Sequence, residues 1–210
     1  MLKMEIKKSK PTLRARANKV KNFRCKNLIA VIENPNDIGN IGIVIRNVNA
    51  LGVDRAYVVT DKDIIPTEWQ DMRSNSKLSA ISASAIKWSF VKTFTDTESC
   101  LKHLEKKGFT SIVTSPHIQG KANADLDKAN YSKFGKLAVW FGNEVEGVSQ
   151  LAIERSELCV SIPMVGIIES LNLGTSSGIV LYEITKQRRK FQDKLRAKVA
   201  EKKLKVKITA

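Results

Sequence analysis

The stretch SIPMVGIIESLNLGTSSGIVLYE, residues 161–183, places a run of small polar residues between two apolar segments. Residues 162–168 and 179–181 are apolar apart from one glycine, and both flanks are typical of buried structure. Between them, residues 170–177 are mostly Ser, Asn, Gly and Thr. Small polar residues supply hydrogen-bonding groups and room for close backbone approach, so this junction is the first candidate for a binding site.

Upstream of this junction, short apolar runs alternate with segments of helical periodicity. Strands are predicted at residues 28–34, 55–60, 90–96, 110–116, 136–144 and 158–164. Helices are predicted at residues 38–52, 97–108 and 173–191, and residues 80–88 fit either a helix or a strand. Because the strands are apolar on both faces, the sequence predicts an α/β fold with a mainly parallel sheet covered by helices on both faces.

Unusual polar chemistry follows three of the predicted strands, at residues 34–40, 142–147 and 168–177. In parallel sheets, ligands bind outside the carboxyl ends of the strands. We therefore expect the three segments to contribute to one shared site.

The charge of the chain is concentrated at its two ends. Residues 1–27 contain ten Lys/Arg and one acid, and residues 186–210 contain eleven Lys/Arg and two acids, so the middle is slightly acidic although the net charge is +15. We predict a basic N-terminal extension (1–26), one globular domain (27–191) and a basic C-terminal tail or helical extension (192–210). Such ends favour a polyanion, because neutralised phosphates release counterions. The rival interpretations are solubilising termini and a membrane surface, and the ends lack the apolar stripe that an interfacial helix needs.

Several function classes lack their sequence motifs in this chain. No G-x-x-x-x-G-K-[ST] phosphate loop, G-x-G-x-x-G dinucleotide fingerprint or G-x-S-x-G nucleophile motif is present. Three cysteines and two histidines, widely spaced, predict neither a disulfide framework nor a metal site. No apolar run is long enough for a transmembrane helix, and the basic N-terminus has no apolar core of a secretory signal, so a cytoplasmic location is expected.

Three blocks together resemble the TrmH (SpoU) branch of the SPOUT superfamily of RNA methyltransferases. ENPNDIGNIGIVIRNVNALGV (33–53) is similar to the family's N-x-x-N-x-x-x-x-x-R block, and LAVWFGNEVEGVSQ (137–150) is similar to its G-x-E-x-x-G block. The opening stretch resembles I-P-M-x-G-x-x-x-S-L-N followed by small residues. The blocks occur in the family order, and the resemblance covers residues 27–190.

The resemblance implies a SPOUT fold whose C-terminal part is tied in a trefoil knot, an exception to the rule that chains do not thread loops. It also implies S-adenosylmethionine held in a bent conformation by the knot loops. A homodimer with the active site near the interface is expected as well. The implied reaction is methyl transfer to a ribose 2′-oxygen, which needs alignment and help with a proton but neither a metal nor a catalytic cysteine.

The resemblance also implies two sets of site residues. The catalytic set is Asn40, Arg46, Glu144, Ser170 and Asn172, and the cofactor-binding set is Thr114, Gly142, Asn143, Gly147, Ile162, Met164 and Leu171. Asn40 and Arg46 lie six residues apart in the predicted first helix and are expected to approach one end of it. Because arginine is a very weak base, we interpret Arg46 as positioning a substrate phosphate and stabilising the developing alkoxide.

The sequence thus predicts an S-adenosylmethionine-dependent RNA 2′-O-ribose methyltransferase. A chain with short basic ends and no separate RNA-binding domain resembles tRNA methylases acting on a D-loop guanosine more than rRNA methylases. Two alternatives are a non-catalytic RNA-binding relative and a basic α/β protein that binds another nucleotide.

Overall fold

The computed structural model of the chain describes residues 12–20, 23–117 and 120–208. The helices are α1 (Leu13–Val20), α2 (Ile38–Ala50), α3 (Trp69–Ser74), α4 (Ser76–Ile81), α5 (Thr97–Lys106), α6 (Gln150–Glu154) and α7 (Leu173–Ile208). The strands are β1 (Cys25–Glu33), β2 (Val53–Val59), β3 (Phe90–Phe94), β4 (Thr110–Thr114), β5 (Asn123–Asp125), β6 (Leu137–Phe141) and β7 (Leu158–Ser161). Short 3-10 helices span Ala85–Trp88 and Tyr131–Lys133.

Within the described residues, the seven strands form one sheet in the order β3-β2-β1-β6-β4-β7-β5. Every strand pair is parallel, which confirms the predicted sheet type. Strand β6 comes late in the chain but lies between β1 and β4. This order aligns the carboxyl ends of β1, β6, β4 and β7 along one edge of the sheet.

Helices cover both faces of the sheet, as the sequence predicts. In β1, Ala30 and Ile32 pack into a core that also contains side chains of α2 and α7. The alternate residues Ile29 and Val31 face the opposite core, built with α5 and α6. Both sets are buried, which explains why the strand sequences are apolar on both faces rather than alternating.

The helix ends follow the expected capping chemistry. Asp96 precedes α5, and its Oδ1 accepts a hydrogen bond from Ser99 N at 2.7 Å. Gly52 and Gly108 follow α2 and α5 with φ of 73° and 74°. Such positive values favour glycine, so both residues end their helices where the sequence predicts.

The structure differs from the prediction in a few elements. Residues 80–88 form neither one helix nor a strand, because α4 ends at Ile81 and a 3-10 turn begins at Ala85. Strand β5 and helices α1, α3, α4 and α6 are short elements that the sequence pattern did not predict. Much of the predicted N-terminal extension, residues 1–11, 21 and 22, lies outside the described residues.

Helix α7 continues through the predicted C-terminal tail to Ile208. The sequence predicted either a tail or a helical extension for residues 192–210, and the structure has the helical extension. Phe191, Leu195 and Val199 are 44%, 46% and 53% exposed and lie at i, i+4 and i+8. They form a narrow apolar stripe on one helix face, although the ends of the chain were predicted to lack one.

A buried arginine attaches α7 to the amino ends of β1 and β6. The Nη1 atom of Arg188 donates to the carbonyl oxygens of Tyr131 and Phe134 at 3.2 and 2.6 Å, and Nη2 donates to that of Gly135 at 3.0 Å. Its Nε contacts Cys25 Sγ at 3.3 Å. Arg188 is only 6% exposed, so these partners replace the water that a guanidinium otherwise needs.

A buried carboxylate holds the carboxyl ends of the strands, on the side of the sheet opposite to Arg188. Glu33, the last residue of β1, is completely buried. Its oxygens accept hydrogen bonds from Ser149 N at 2.8 Å, from Ser149 Oγ at 2.6 Å and from Thr97 Oγ1. Because Ser149 caps α6 and Thr97 begins α5, Glu33 joins the end of β1 to the starts of two helices.

We predict that Arg188→Met lowers the free energy of unfolding by on the order of 3 kcal/mol, because several buried carbonyl groups lose their donor. Urea denaturation followed by circular dichroism measures the change. Arg196→Met is the control on the same helix, since Arg196 is 61% exposed and pairs with the likewise exposed Asp193 at 3.4 Å. Equal urea midpoints for the two variants would contradict the conclusion that Arg188 stabilises the attachment of α7 to the sheet.

We predict that Glu33→Gln lowers the free energy of unfolding by about 2 kcal/mol. The amide nitrogen that replaces one carboxylate oxygen is itself a donor and would face the donors of Ser149 and Thr97 without an acceptor. Thermal unfolding of the variant and of wild type gives the difference. Glu157→Gln, at an exposed site, should leave the transition unchanged. If both variants unfold like wild type, the three hydrogen bonds of Glu33 do not hold the edge together.

Candidate active site

A cavity of about 280 Å³ opens at the carboxyl ends of β4, β6 and β7. Its apolar walls include Phe141 at the end of β6, Val160 in β7, and Leu173 and Val180 in α7. This is the sheet edge at which the sequence predicts a shared site. Two of the three predicted segments line the cavity directly, and the third is joined to it by hydrogen bonds.

Most of the predicted site residues meet at this cavity. The residues from the two predicted sets that line it are Thr114, Gly142, Asn143, Glu144, Gly147, Ile162, Met164, Ser170 and Leu171. The remaining three predicted residues, Asn40, Arg46 and Asn172, do not line it. The whole predicted cofactor-binding set therefore surrounds one space.

The first and second sequence blocks are joined by amide–carboxylate hydrogen bonds. Asn40 Nδ2 donates to Glu144 Oε1, and Asn36 Nδ2 donates to Glu144 Oε2 at 3.2 Å. Asp37 caps α2 by accepting from Asn40 N at 3.1 Å, and its Oδ2 accepts from Asn40 Nδ2 at 3.2 Å. Asn40 is nearly buried, whereas Glu144 is exposed. Two amides thus orient the Glu144 carboxylate beside the cavity.

The loop that carries Glu144 is a tight turn built around Asn143. The side-chain oxygen of Asn143 accepts from the backbone nitrogens of Val145 and Glu146 at 2.9 and 2.7 Å. A Cβ atom on Gly142 would lie 1.9 Å from the carbonyl carbon of Gly147, whose φ is 70°. Both glycines are therefore required by the backbone geometry, and the loop presents its main chain to the cavity.

The third block runs from β7 to α7 as a largely exposed loop. Residues 163–170 are all exposed, and Ser170 lines the cavity. The Asn172 Oδ1 atom accepts from Gly174 N at 2.8 Å, so its oxygen satisfies the first turn of α7. None of the described contacts uses the side-chain nitrogen of Asn172 as a donor.

Small residues at the start of α7 allow close approach to α2. A Cβ atom on Gly174 would lie 2.5 Å from Ile43 Cγ2. Asn47 Nδ2 donates to the Gly174 carbonyl at 2.7 Å and to Ser177 Oγ at 3.0 Å. The run of small polar residues is therefore the place where α7 packs on α2. Residues 163–168, whose apolar sequence is typical of buried structure, are instead exposed in the loop before α7.

Arg46 lies apart from the cavity. It is exposed on α2 and forms no hydrogen bond or ion pair with any other residue in the described ranges. Asn40 lies in the first turn of α2 and Arg46 near its middle, about 9 Å apart along the axis. The catalytic role of Arg46 stays a prediction.

Several residues at this edge were not predicted from the sequence. Glu146 and Glu169 also line the cavity, so together with Glu144 they place three carboxylates around it. Such a cavity favours a cationic ligand. Asn36 lies inside the first block, and its place in a turn beside Asp37 was the signal that could have identified it.

The three cysteines are free and buried. Burial raises the pKa of the Cys100 thiol, and the nearby Glu33 carboxylate raises it further. Because the thiolate is the reactive form, this shift disfavours nucleophilic chemistry at Cys100.

Metal centres and membrane-spanning helices are absent from residues 12–20, 23–117 and 120–208. No group of three or more His, Cys, Asp or Glu residues in these ranges is placed to hold a metal ion. None of the helices there has the length and apolar character needed to cross a membrane.

Comparison with known proteins gives both sequence and structural relatives. The tRNA (guanosine(18)-2′-O)-methyltransferase of Thermus thermophilus is 28% identical over 177 residues, which cover 84% of each chain. The 23S rRNA (guanosine-2′-O-)-methyltransferase RlmB of Vibrio vulnificus is 27% identical over 186 residues, covering 87% of this chain and 70% of that protein. The crystal structure of the A. aeolicus TrmH/SpoU tRNA modifying enzyme superposes with a TM-score of 0.67, 25% identity and 85% coverage of both chains.

The family assignment comes from a sequence profile. The profile of the SpoU rRNA Methylase family matches residues 27–182, which include all three sequence blocks and most of the chain. The fold agrees with that of the A. aeolicus enzyme over 85% of both chains. The chain belongs to the SpoU rRNA Methylase family.

Proposed function

We propose that this protein is an S-adenosylmethionine-dependent RNA 2′-O-ribose methyltransferase. The observation that carries the proposal is the hydrogen-bonded contact of Asn40 with Glu144 beside a cavity lined by all the predicted cofactor-binding residues. Membership of the family and the names of the two curated relatives support the same reaction.

The residues around the cavity fit S-adenosylmethionine. Apolar walls at Phe141, Val160 and Leu171 suit a purine ring, and the backbone of residues 142–147 offers hydrogen-bonding groups to its edge. The carboxylates of Glu144, Glu146 and Glu169 suit a ligand with sulfonium and ammonium charges. When bound, this cofactor supplies an electrophilic methyl group.

The residues of the chain then have separate tasks. Asn40 and Asn36 hold the Glu144 carboxylate, which can accept a hydrogen bond from a ribose hydroxyl or from the ligand. Ser170 lines the cavity and offers a hydroxyl to the reacting nucleotide. Arg46 positions a substrate phosphate and stabilises the alkoxide that develops as the 2′-hydroxyl loses its proton.

For the substrate, we favour a guanosine in the D-loop of tRNA over rRNA. The Thermus thermophilus relative is named for guanosine 18 of tRNA and matches this chain over most of both lengths. The Vibrio vulnificus relative is named for 23S rRNA, so rRNA is the competing substrate. Direct mapping of the modified nucleotide decides between them.

The basic ends are proposed to bind RNA outside the methylated nucleotide. The C-terminal part of α7 carries Lys190, Lys194, Arg196 and Lys198, all on a helix that extends beyond the predicted domain boundary at residue 191. Lysine and arginine on such a helix contribute phosphate contacts. The domain limits 27–191, the trefoil knot and the cytoplasmic location remain predictions from sequence and family resemblance.

We also propose a homodimer formed through the surface that α2 and α7 share. Ile43, Ile179 and Tyr182 are 38%, 40% and 54% exposed there. An apolar cavity of about 460 Å³, lined partly by Ile179 and Tyr182, adjoins this surface. Arg46 lies one turn from Ile43 on the same side of α2, so a second copy on this surface would bring Arg46 towards an active site.

We predict that the purified chain transfers methyl groups from S-adenosylmethionine to an unmodified tRNA transcript pool. Arg46→Ala should abolish transfer and leave cofactor affinity nearly intact, because Arg46 does not line the cavity. Ribose-methylation mapping measures the product, and calorimetry measures cofactor binding. Lys62→Ala, at another exposed position, should transfer normally.

Two results of this experiment would overturn the proposal in different ways. Full activity of Arg46→Ala would remove the role assigned to that residue. Absence of both transfer and cofactor binding in wild type, with RNA binding retained, would favour the non-catalytic RNA-binding alternative.

We predict that Ile179→Asp converts a dimer into a monomer, because the new carboxylate would be buried without a partner at the shared surface. Light scattering coupled to gel filtration measures the mass. Val199→Asp on the same helix, where Val199 is 53% exposed and outside this surface, should remain dimeric. Wild type that elutes with the mass of one chain would exclude the dimer.

A further inference from the structure

A stack of cations and aromatic rings lies at the β3 edge of the sheet, away from the candidate active site. The Arg73 guanidinium lies 4.7 Å from the centroid of the Trp69 ring. The Trp69 ring lies 5.7 Å from that of Phe90, and the Arg55 guanidinium lies 5.2 Å from the Phe90 centroid. We name these residues, Arg73, Trp69, Phe90 and Arg55, the edge stack.

The edge stack is held in place by its own contacts. Trp69 Nε1 donates to the Ser89 carbonyl at 2.9 Å, which fixes the central ring. Arg55 Nε donates to Asp54 Oδ2 at 2.9 Å, and Arg55 pairs with Phe90 in the β2–β3 register. Because these side chains are already ordered, they would lose less conformational entropy when a ligand binds.

The edge stack remains accessible to a partner. Phe90 is 41% exposed, as is the nearby Trp88, and 47% of the Arg55 side chain is exposed. Arg73 is exposed and forms no hydrogen bond or ion pair with another residue of the described ranges. Charge on an edge strand also prevents strand pairing between molecules, so edge protection is the competing explanation.

The chemistry of the edge stack matches RNA. A guanidinium has a planar set of donors that fits phosphate oxygens, and a ring beside it offers a stacking surface to an unpaired base. Cations interleaved with exposed aromatic rings are the arrangement that single-stranded and loop regions of RNA bind. An acidic protein would use the cations but would not need the rings.

The edge stack is at a suitable distance from the proposed reaction site. Phe90 pairs with Arg55, Arg55 with Ile29 and Ile29 with Ala138, so Phe90 is level with the residue three positions before Phe141. Three strand spacings and three residues of rise place Phe90 roughly 17 Å from Phe141. A folded RNA that reaches the cavity with one nucleotide can therefore reach this edge with others.

We propose that the edge stack is a second RNA-binding surface, which contacts phosphates and an unpaired base of the substrate outside the methylated nucleotide. The proposal rests on the proposed function for the identity of the polyanion. It assigns Arg55 and Arg73 to phosphates, and Phe90 to stacking.

The test compares two double variants that remove the same charge. Arg55→Gln/Arg73→Gln should weaken binding of an unmodified tRNA transcript pool and reduce the salt slope of log K by about 1.4 to 1.8, since each phosphate contact contributes about 0.7 to 0.9. Lys133→Gln/Lys136→Gln is the matched control, because both lysines also lie over rings, at 4.8 Å from Phe134 and 5.7 Å from Phe109. The control should keep a slope close to that of wild type.

Phe90→Leu separates stacking from charge. It should weaken binding severalfold while leaving the salt slope unchanged, because no cation is removed. Unfolding curves for all variants verify that each is folded under the binding conditions. Wild-type affinity in Phe90→Leu would overturn the assigned stacking.

The outcomes distinguish this surface from the proposed function. Equal slopes for wild type and the Arg55/Arg73 variant, or equal losses in both double variants, would overturn the surface even if wild type methylates RNA. A loss confined to the Arg55/Arg73 variant, in a chain that transfers no methyl group, would support the surface and contradict the proposed activity.

Discussion

The buried carboxylate of Glu33 is the constraint on which the carboxyl edge of the sheet depends. A carboxylate removed from water costs several kcal/mol unless donors surround it, so its partners Ser149 and Thr97 cannot move independently. Ser149 follows the loop that carries Glu144, and Glu33 precedes the segment that carries Asn40. The contact between Asn40 and Glu144 is therefore a consequence of two backbones already held together by a third group.

Helix α7 is fixed at two points that serve different purposes. Near its start, Asn47 holds the Gly174 carbonyl, and the helix begins directly beside the cavity. About four turns further on, Arg188 holds it to the amino ends of β1 and β6. The loop between β7 and α7 is exposed rather than buried. The cavity is therefore bounded by buried residues on the sheet side and by an exposed loop on the other.

The sequence predicted those features that depend on local pattern or on a block of residues. Apolar runs and glycine stops identified the main strands and helices, and the polar strand ends identified the edge at which the cavity lies. The strand order could not be predicted, because the periodicity of β6 does not reveal that it pairs with β1 and β4. Glu33 and Arg188 were missed for a related reason: an acid at a strand end and an arginine at the start of a basic run both resemble surface residues until distant partners are known. The separation of Arg46 from the cavity could not be predicted either, because it depends on how far α2 extends along the sheet.

The position of β6 has a consequence for synthesis on the ribosome. Strands β1, β2 and β3 can pair as they emerge, but β4 pairs with β6 and β7, which both follow it in the chain, and β1 keeps an open edge until residues 137–141 are made. Long-range parallel pairing of this kind is slow, and unpaired strand edges are prone to aggregation while it is pending. The nascent chain thus passes through a stage in which β1 and β4 both lack their shared neighbour, and a single short strand, LAVWF, pairs with both.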